Sequence, residues 1–302
     1  MSQAQQPAAE PQPAASIINA MTVDVEDYFH VSALAGSIPR DRWDAMPYRV
    51  EASTQRLLDL FARRGIQATF FVLGWVAERS PGLVRHIAAA GHEIACHGQS
   101  HELVYRQSPE VFREETFRSK RYLEDLLGHA VRGYRAASFS VTRQSLWALD
   151  TLVEAGFEYD SSVAPIRHDV YGLPDAPTRP TRLTTPGGST LPEFPLSTAQ
   201  FLGVRLPVAG GGYFRLLPYG LTRAGMRQIN EKARSPFAFY LHPWEVDPGQ
   251  PRIPAPLKSR LRHYTNLDVC EARLERLIGE FGFGRMDELL TSIGLLPRRA
   301  AD

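Results

Sequence analysis

Residues 96–101 read Cys-His-Gly-Gln-Ser-His, which sets His97 and His101 four apart. In a helix this spacing puts both imidazoles on one face, but Gly98 and Ser100 are poor helix formers and the preceding Glu-Ile-Ala-Cys has strand character. The pair is expected on a tight loop at a strand end, where two rings can converge on one point. Other polar residues close segments of strand character in the same way: Asp24-Val25-Glu26-Asp27, Arg135, Asp160 and His242. An acidic cluster, three histidines and an arginine are the parts of a metal-assisted hydrolase. Two imidazoles and one carboxylate hold a divalent ion and leave positions open for water. A second carboxylate must then take a proton from the attacking water, and a separate acid must protonate the departing amine. Asp24 and His242 are free for those tasks. Arg135 suits a partner that orients the base carboxylate and keeps it ionised.

The elements that must position these residues alternate between strand and helix. Residues 17–24 form an apolar run ending in the acidic cluster. A helix follows, with Ser53 as the expected N-cap and Gly65 as its stop, and then a strand from Ile66. Ser80-Pro81 opens a second helix closed by Gly91, and residues 92–96 lead into the histidine loop. Further helices are expected from Ser108-Pro109 to about Leu127 and from Thr142 to Gly156, with strands at 131–135 and 157–160. Repeated strand–helix units imply a parallel sheet, in which ligands bind at the C-terminal strand ends. Residues 173–195 break this rhythm with six prolines, and Thr-Pro-Gly-Gly-Ser inside them predicts a hairpin turn. Thr222 can cap a helix over 223–234, and residues 235–242 form a strand ending in His242. Leu267, Cys270, Leu274, Leu277, Ile278 and Phe281 share one helical face and predict an amphipathic outer helix.

No repeat and no linker divides the chain, so residues 17–302 are expected to form one domain with a C-terminal extension from about 250. Residues 1–16, rich in Ala, Gln and Pro, read as a disordered tail. A content of 43% hydrophobic residues is ample for a core, and 34 cationic against 33 acidic residues give no field for nucleic acid. Cys96 and Cys270 are too few for a disulfide scaffold and are expected to pack in the interior. The N-terminus lacks the basic start and apolar run of a signal peptide, which predicts a cytoplasmic protein. No stretch approaches the roughly 18 apolar residues of a membrane span.

The segments Thr-Val-Asp-Val-Glu-Asp at 22–27, His-Gly-Gln-Ser-His at 97–101, Arg-Gly-Tyr-Arg-Ala-Ala-Ser-Phe at 132–139, Tyr-Asp-Ser-Ser at 159–162 and Tyr-Leu-His-Pro-Trp-Glu at 240–245 resemble, in order and spacing, the motifs of the NodB-type polysaccharide deacetylases, carbohydrate esterase family 4. The resemblance covers roughly residues 18–247. The variant motifs and the stretch from His263 are most similar to a subgroup found with bacterial exopolysaccharide loci of the PEP-CTERM kind, which carries the same C-terminal extension. The resemblance implies an irregular (β/α) barrel of about seven strands that removes acetyl groups from N-acetylated sugars with one divalent metal, usually zinc. It implies Asp24 as catalytic base, His97 and His101 as metal ligands, Arg135 as the residue that orients the base, and His242 as general acid.

Three departures matter. Val25 stands where the family commonly has a second aspartate, so the third ligand must be Glu26 or Asp27, and Glu26 is the choice made from relatives with Asp-x-Asp. Ala137 replaces a proline, and the fourth motif lacks its tryptophan, leaving Asp160 to orient His242 or to cap a turn. His92 is expected to be structural, and Glu193 to be a loop residue with some access to substrate. In Ala209-Gly-Gly-Gly-Tyr-Phe-Arg215, Tyr213 and Phe214 could stack on a sugar or pack in the core.

Three other functions compete. A metal-independent amidohydrolase of the allantoinase-like type resembles this family, but retention of His97 and His101 beside acidic residues argues against it. A serine hydrolase is disfavoured because Gly98-Gln-Ser-His-Glu lacks the second glycine of a nucleophile elbow. A non-catalytic sugar-binding protein on the same fold would have no need of both Asp24 and His242.

Overall fold

The computed structural model describes residues 17–168 and 171–298; the expected N-terminal tail lies outside them. The elements run β1 (Ile18–Val25), α1 (Val50–Arg64), β2 (Thr69–Val72), α2 (Gly74–Arg79), α3 (Pro81–Ala89), β3 (Glu93–Cys96), α4 (Pro109–Leu127), β4 (Gly133–Tyr134), α5 (Ala148–Glu154), β5 (Tyr159–Asp160), β6 (Thr181–Thr184), β7 (Thr190–Glu193), β8 (Thr198–Phe201) and β9 (Val204–Pro207). They continue with α6 (Gly211–Leu216), α7 (Tyr219–Arg227), β10 (Ala238–Leu241), α8 (Leu257–Tyr264), α9 (Leu267–Glu280), β11 (Gly282–Gly284) and α10 (Met286–Ser292).

The main sheet has the order β10-β1-β2-β3-β4-β5-β7-β6. Every pair from β10 to β7 is parallel, so seven strands form the curved wall, and β6 joins as the antiparallel arm of the expected hairpin. Irregular backbone, not a strand ladder, spans the gap between β7 and β10. Leu196 N donates to Val163 O at 2.8 Å, Val208 N to Ser197 O at 3.3 Å, and Tyr240 N to Ala209 O at 3.0 Å. Gly210 (φ 131°) is required there, because a Cβ would lie 1.9 Å from the Tyr240 carbonyl oxygen. This is the irregular (β/α) barrel anticipated from the motifs.

Alternation along the strands sorts the side chains. Met21, Val23 and Val25 of β1, Phe70 and Val72 of β2, and Ile94 and Cys96 of β3 pack outward with the helices. Ala20, Phe71, Ala95 and Tyr159 point inward, where Met286 and Leu290 of α10 plug the floor of the barrel. The inward register continues upward to Asp24 and His97. Cys96 is thereby turned away from the histidine loop, and burial pushes its thiol up to about 11.

Four local differences from the sequence reading have physical causes. Ser53 is buried within α1 and does not cap it; the helix starts at Val50, and Asp27 Oδ2 accepts from Arg49 N at 2.6 Å and Val50 N at 2.8 Å. The helix expected over 142–156 is α-helical only at 148–154, preceded by a 3-10 turn at 143–145. Thr222 is buried within α7 and does not cap it; the helix starts at Tyr219, after Pro218, and passes into a π-helical turn at 228–232. The C-terminal extension is more than helices, because β11 pairs with Ile18–Ala20 of β1.

Candidate metal centre and active site

Glu26 leaves β1 through a tight turn in which its N–H donates back to the Asp24 carbonyl at 3.0 Å. The turn keeps both carboxylates at the mouth of the barrel and directs Asp27 toward α1. His97 follows β3, and its Nδ1–H donates to the Arg135 carbonyl at 2.8 Å, which fixes the tautomer and leaves Nε2 as a free donor atom. His101 takes a positive φ of 53°, which brings its Nε2 to 2.7 Å from Glu26 Oε2. One ligand atom from each of Glu26, His97 and His101 lies within 4.8 Å of the others. Glu26 Oε2 is buried, and the His101 Nε2 beside it is not aligned to donate a hydrogen bond to it. A buried carboxylate oxygen lacking a donor, facing two imidazole nitrogens, fits a borderline-soft divalent cation such as zinc. Burial opposes ionisation of Glu26, but the imidazoles that face it, His101 and His242 foremost, outweigh it and hold the carboxyl well below its ordinary range. Burial brings His97 down to about 4, which leaves the ring neutral and able to ligate.

Asp27 is not part of this cluster. Its Oδ1 accepts from Tyr28 N at 2.8 Å and its Oδ2 from the two backbone amides that open α1. Of the two acidic candidates, only Glu26 reaches the histidines.

Asp24 lies beside the cluster and is held by Arg135, whose Nη1 donates to Asp24 Oδ1 at 2.7 Å and to Thr22 Oγ1 at 2.9 Å. Arg135 Nη2 donates to Ser161 Oγ at 3.0 Å, and the guanidinium carbon sits 4.0 Å from the centre of the Phe71 ring. The fork is locked on two edges and one face, and one Asp24 oxygen stays free toward the cavity.

His242 faces Asp24 and Glu26 from the end of β10. Its Nε2 lies 3.3 Å from Glu26 Oε1, and its Nδ1 lies 2.6 Å from Glu245 Oε1. Burial alone would lower its pKa, but Glu26 and Glu245 carry it up to about 9, so the ring holds a proton at neutral pH. Glu245 is fully buried, and Arg215 Nε donates to its Oε2 at 3.0 Å. Arg215 and His242 together keep Glu245 ionised despite its burial. Trp244 stacks between His242 and His263, at 5.1 and 4.3 Å between ring centres.

Asp160 does not orient His242. It is fully buried at the end of β5, where Ser162 Oγ donates to its Oδ1 and Glu193 of β7 stands beside it in register. Glu193 is correspondingly no substrate-facing loop residue; its Oε1 accepts from Val163 N at 3.0 Å. This carboxyl pair fixes the Ser161–Ser162 segment that holds Arg135 and the Ala136 amide. The orienting task at His242 belongs to Glu245, which the sequence reading missed. Its signal was present, three residues after His242 in Tyr-Leu-His-Pro-Trp-Glu.

Asp24, Glu26, His97, His101, His242 and Glu245 line one cavity of about 300 Å³. Its outer wall carries Phe139, Tyr171, Tyr213, Leu216 and Arg262. The two aromatics of the glycine-rich stretch divide the alternatives between them: Phe214 is fully buried, whereas Tyr213 is half-buried and faces the cavity. His92 is structural, accepting from Ala68 N at 3.0 Å.

Residues 42–159 match the polysaccharide deacetylase family, and residues 161–291 match a domain of unknown function, DUF3473. Residues 42–159 are therefore similar to a polysaccharide deacetylase domain. His97, His101 and Arg135 fall in the first match, and Arg215, His242 and Glu245 in the second. A peptidoglycan-N-acetylglucosamine deacetylase of Bacillus cereus is 27% identical over 147 residues, which are 45% of this chain and 52% of that protein. The chain thus spans about half the length of this curated relative. A crystal structure from Mycobacterium smegmatis, assigned as a polysaccharide deacetylase, superposes with a TM-score of 0.59 at 20% identity over 97% of this chain and 99% of that one. The allantoinase Puue superposes with a TM-score of 0.60 at 17% identity over 96% of both chains. Both likenesses show the fold. Among the described residues no helix is long and apolar enough to cross a membrane.

Proposed function

We propose that this protein is a metal-dependent hydrolase that removes N-acetyl groups from amino sugars of a bacterial polysaccharide or its precursor. One observation carries the proposal: two histidines and a glutamate with an oxygen that accepts no hydrogen bond converge at the barrel mouth, between an arginine-held aspartate and a protonated histidine. Glu26, His97 and His101 would hold the ion, most simply zinc, which supplies polarisation of the acetyl carbonyl and acidification of a water. Asp24, held in place by Arg135, accepts the proton of the attacking water. His242 donates a proton to the sugar nitrogen as the C–N bond breaks, and Glu245 keeps that ring aligned. Asp160 and Glu193 act at a distance, by fixing the backbone that holds Arg135. Residues 17–298 work as one unit in this reading, because β11 pairs with the strand that carries Asp24.

Acetate release from N-acetylglucosamine oligomers, measured with and without a chelator, tests the proposal. Turnover that the chelator abolishes and zinc restores is the expected result. Turnover that survives complete metal removal would instead favour the allantoinase-like alternative.

A further inference from the structure

The rim of the cavity carries a surface that hydrolysis does not require. On α8, Leu257 is 68% exposed and Leu261 56%, four residues apart on one face. Leu216, which closes α6 and lines the cavity, is 42% exposed. From Pro248 to Leu267 the chain has no Asp or Glu but four cations, Arg252, Lys258, Arg260 and Arg262. At about 100° per residue, Lys258 and Arg262 fall on one side of the leucine stripe and Arg260 on the other, while the buried His263 points to the opposite face. Lys258, Arg260 and Arg262 enter no ion pair among the described residues. Several surface arginines elsewhere are matched with carboxylates, as in Arg56–Glu271, Arg113–Glu154 and Arg118–Glu78. The overall charge is only +1, so this rim is a local concentration of uncompensated charge.

Exposed leucines flanked by cations on one helix face match the interface of an anionic bilayer. The leucines enter the acyl boundary, and the cations reach the lipid phosphates with their stems along the apolar surface. An acidic polysaccharide would pair the cations but leave the leucines in water. We propose that the α8 face docks reversibly on an anionic membrane surface and presents the mouth of the cavity to saccharide held there. Docking goes beyond the proposed catalysis and does not depend on it.

The test is flotation of the full-length, zinc-loaded protein with vesicles of phosphatidylglycerol and phosphatidylethanolamine, against vesicles of phosphatidylcholine alone. The expected result is at least about tenfold preference for the anionic vesicles, falling with salt. Leu257→Ser with Leu261→Ser should weaken binding about tenfold, and Lys258→Glu with Arg260→Glu should abolish it. All four positions lie outside the catalytic groups, so turnover of a soluble N-acetylated oligomer should be unchanged. Asp24→Asn protein should float like the wild type, which separates docking from catalysis. Absence of vesicle binding overturns the proposal, as does retention on a soluble acidic polysaccharide alone. Undiminished binding by the leucine variant overturns it too, because attraction would then be purely electrostatic.

Discussion

His242 Nδ1 lies 2.6 Å from Glu245 Oε1, and the other oxygen of Glu245 accepts from Arg215 Nε at 3.0 Å. Arg215 also donates to the carbonyls of Arg262, His263 and Thr265, at 3.1, 3.0 and 2.7 Å. The ring is thus gripped along one edge through a fully buried ion pair, and its Nε2 is offered to the cavity. All of these residues belong to the segment matched as a domain of unknown function, so that segment supplies both His242 and the groups that grip it.

Glu245→Gln removes one of the two charges that hold a proton on His242, and the one bonded to its Nδ1, while keeping the side-chain volume. For an N-acetylated sugar, whose amine leaves poorly without a proton, kcat should fall about 10²-fold or more. Hydrolysis of an activated aryl acetate needs no proton on its leaving group and should change only a few-fold. Parallel loss on both substrates would mean that Glu245 merely maintains the fold.

Base and metal ligands should separate cleanly. Asp24→Asn should abolish acetate release yet retain the metal, because Asp24 lies beside the Glu26, His97 and His101 cluster and is tied to Arg135. His97→Ala should lose metal and activity together. Elemental analysis of the two purified variants, run beside the acetate assay, checks both statements; full activity in Asp24→Asn contradicts the assigned base.

Glu26 and Asp27 are adjacent in sequence but differ in task, and substitution should expose the difference. Asp27→Ala strips the acceptor from three backbone amides at the start of two helical segments, and should cost about 1–3 kcal/mol of stability with metal content intact. Glu26→Ala should release the metal instead. Denaturant unfolding together with metal content distinguishes them, and loss of metal in Asp27→Ala would refute the division.

Much of this site is legible in the sequence because its residues sit where strands end, and parallel α/β architecture gathers strand ends on one face. Asp24, His97, Arg135 and His242 each close an apolar segment, and period-two alternation sends them inward, while His101 returns to the cluster from the loop after β3 with a positive φ. Asp160 ends a strand as well, but burial beside Glu193 removed it from the cavity, and no local pattern announces a neighbour thirty-three residues away. The choice between Glu26 and Asp27 depended on the start of α1, which itself needs Asp27 as its cap. The elements from α8 onward were read only at α9, since β11 is a three-residue Gly-Phe-Gly strand with no alternation to detect.

The pairing of Asp160 with Glu193 makes the last prediction one of pH and stability. Burial, and then the adjacent Asp160, push Glu193 well above its ordinary range, and burial raises Asp160 as well. Asp160 Oδ2 and Glu193 Oε2 have no other partner, as expected of two carboxyls that share a proton. The folded state therefore keeps a proton that the unfolded chain loses near the usual glutamate value of about 4.3. Stability from this pair is complete below that pH and is lost as pH rises through the higher folded value. Glu193→Gln replaces the shared proton by a permanent N–H donor toward Asp160, while its oxygen still accepts from Val163 N. The variant should be at least as stable as the wild type at about pH 8, with a flatter decline between about pH 5 and 8. Urea unfolding at several pH values measures this, and an unchanged slope would show that the two carboxyls do not share a proton.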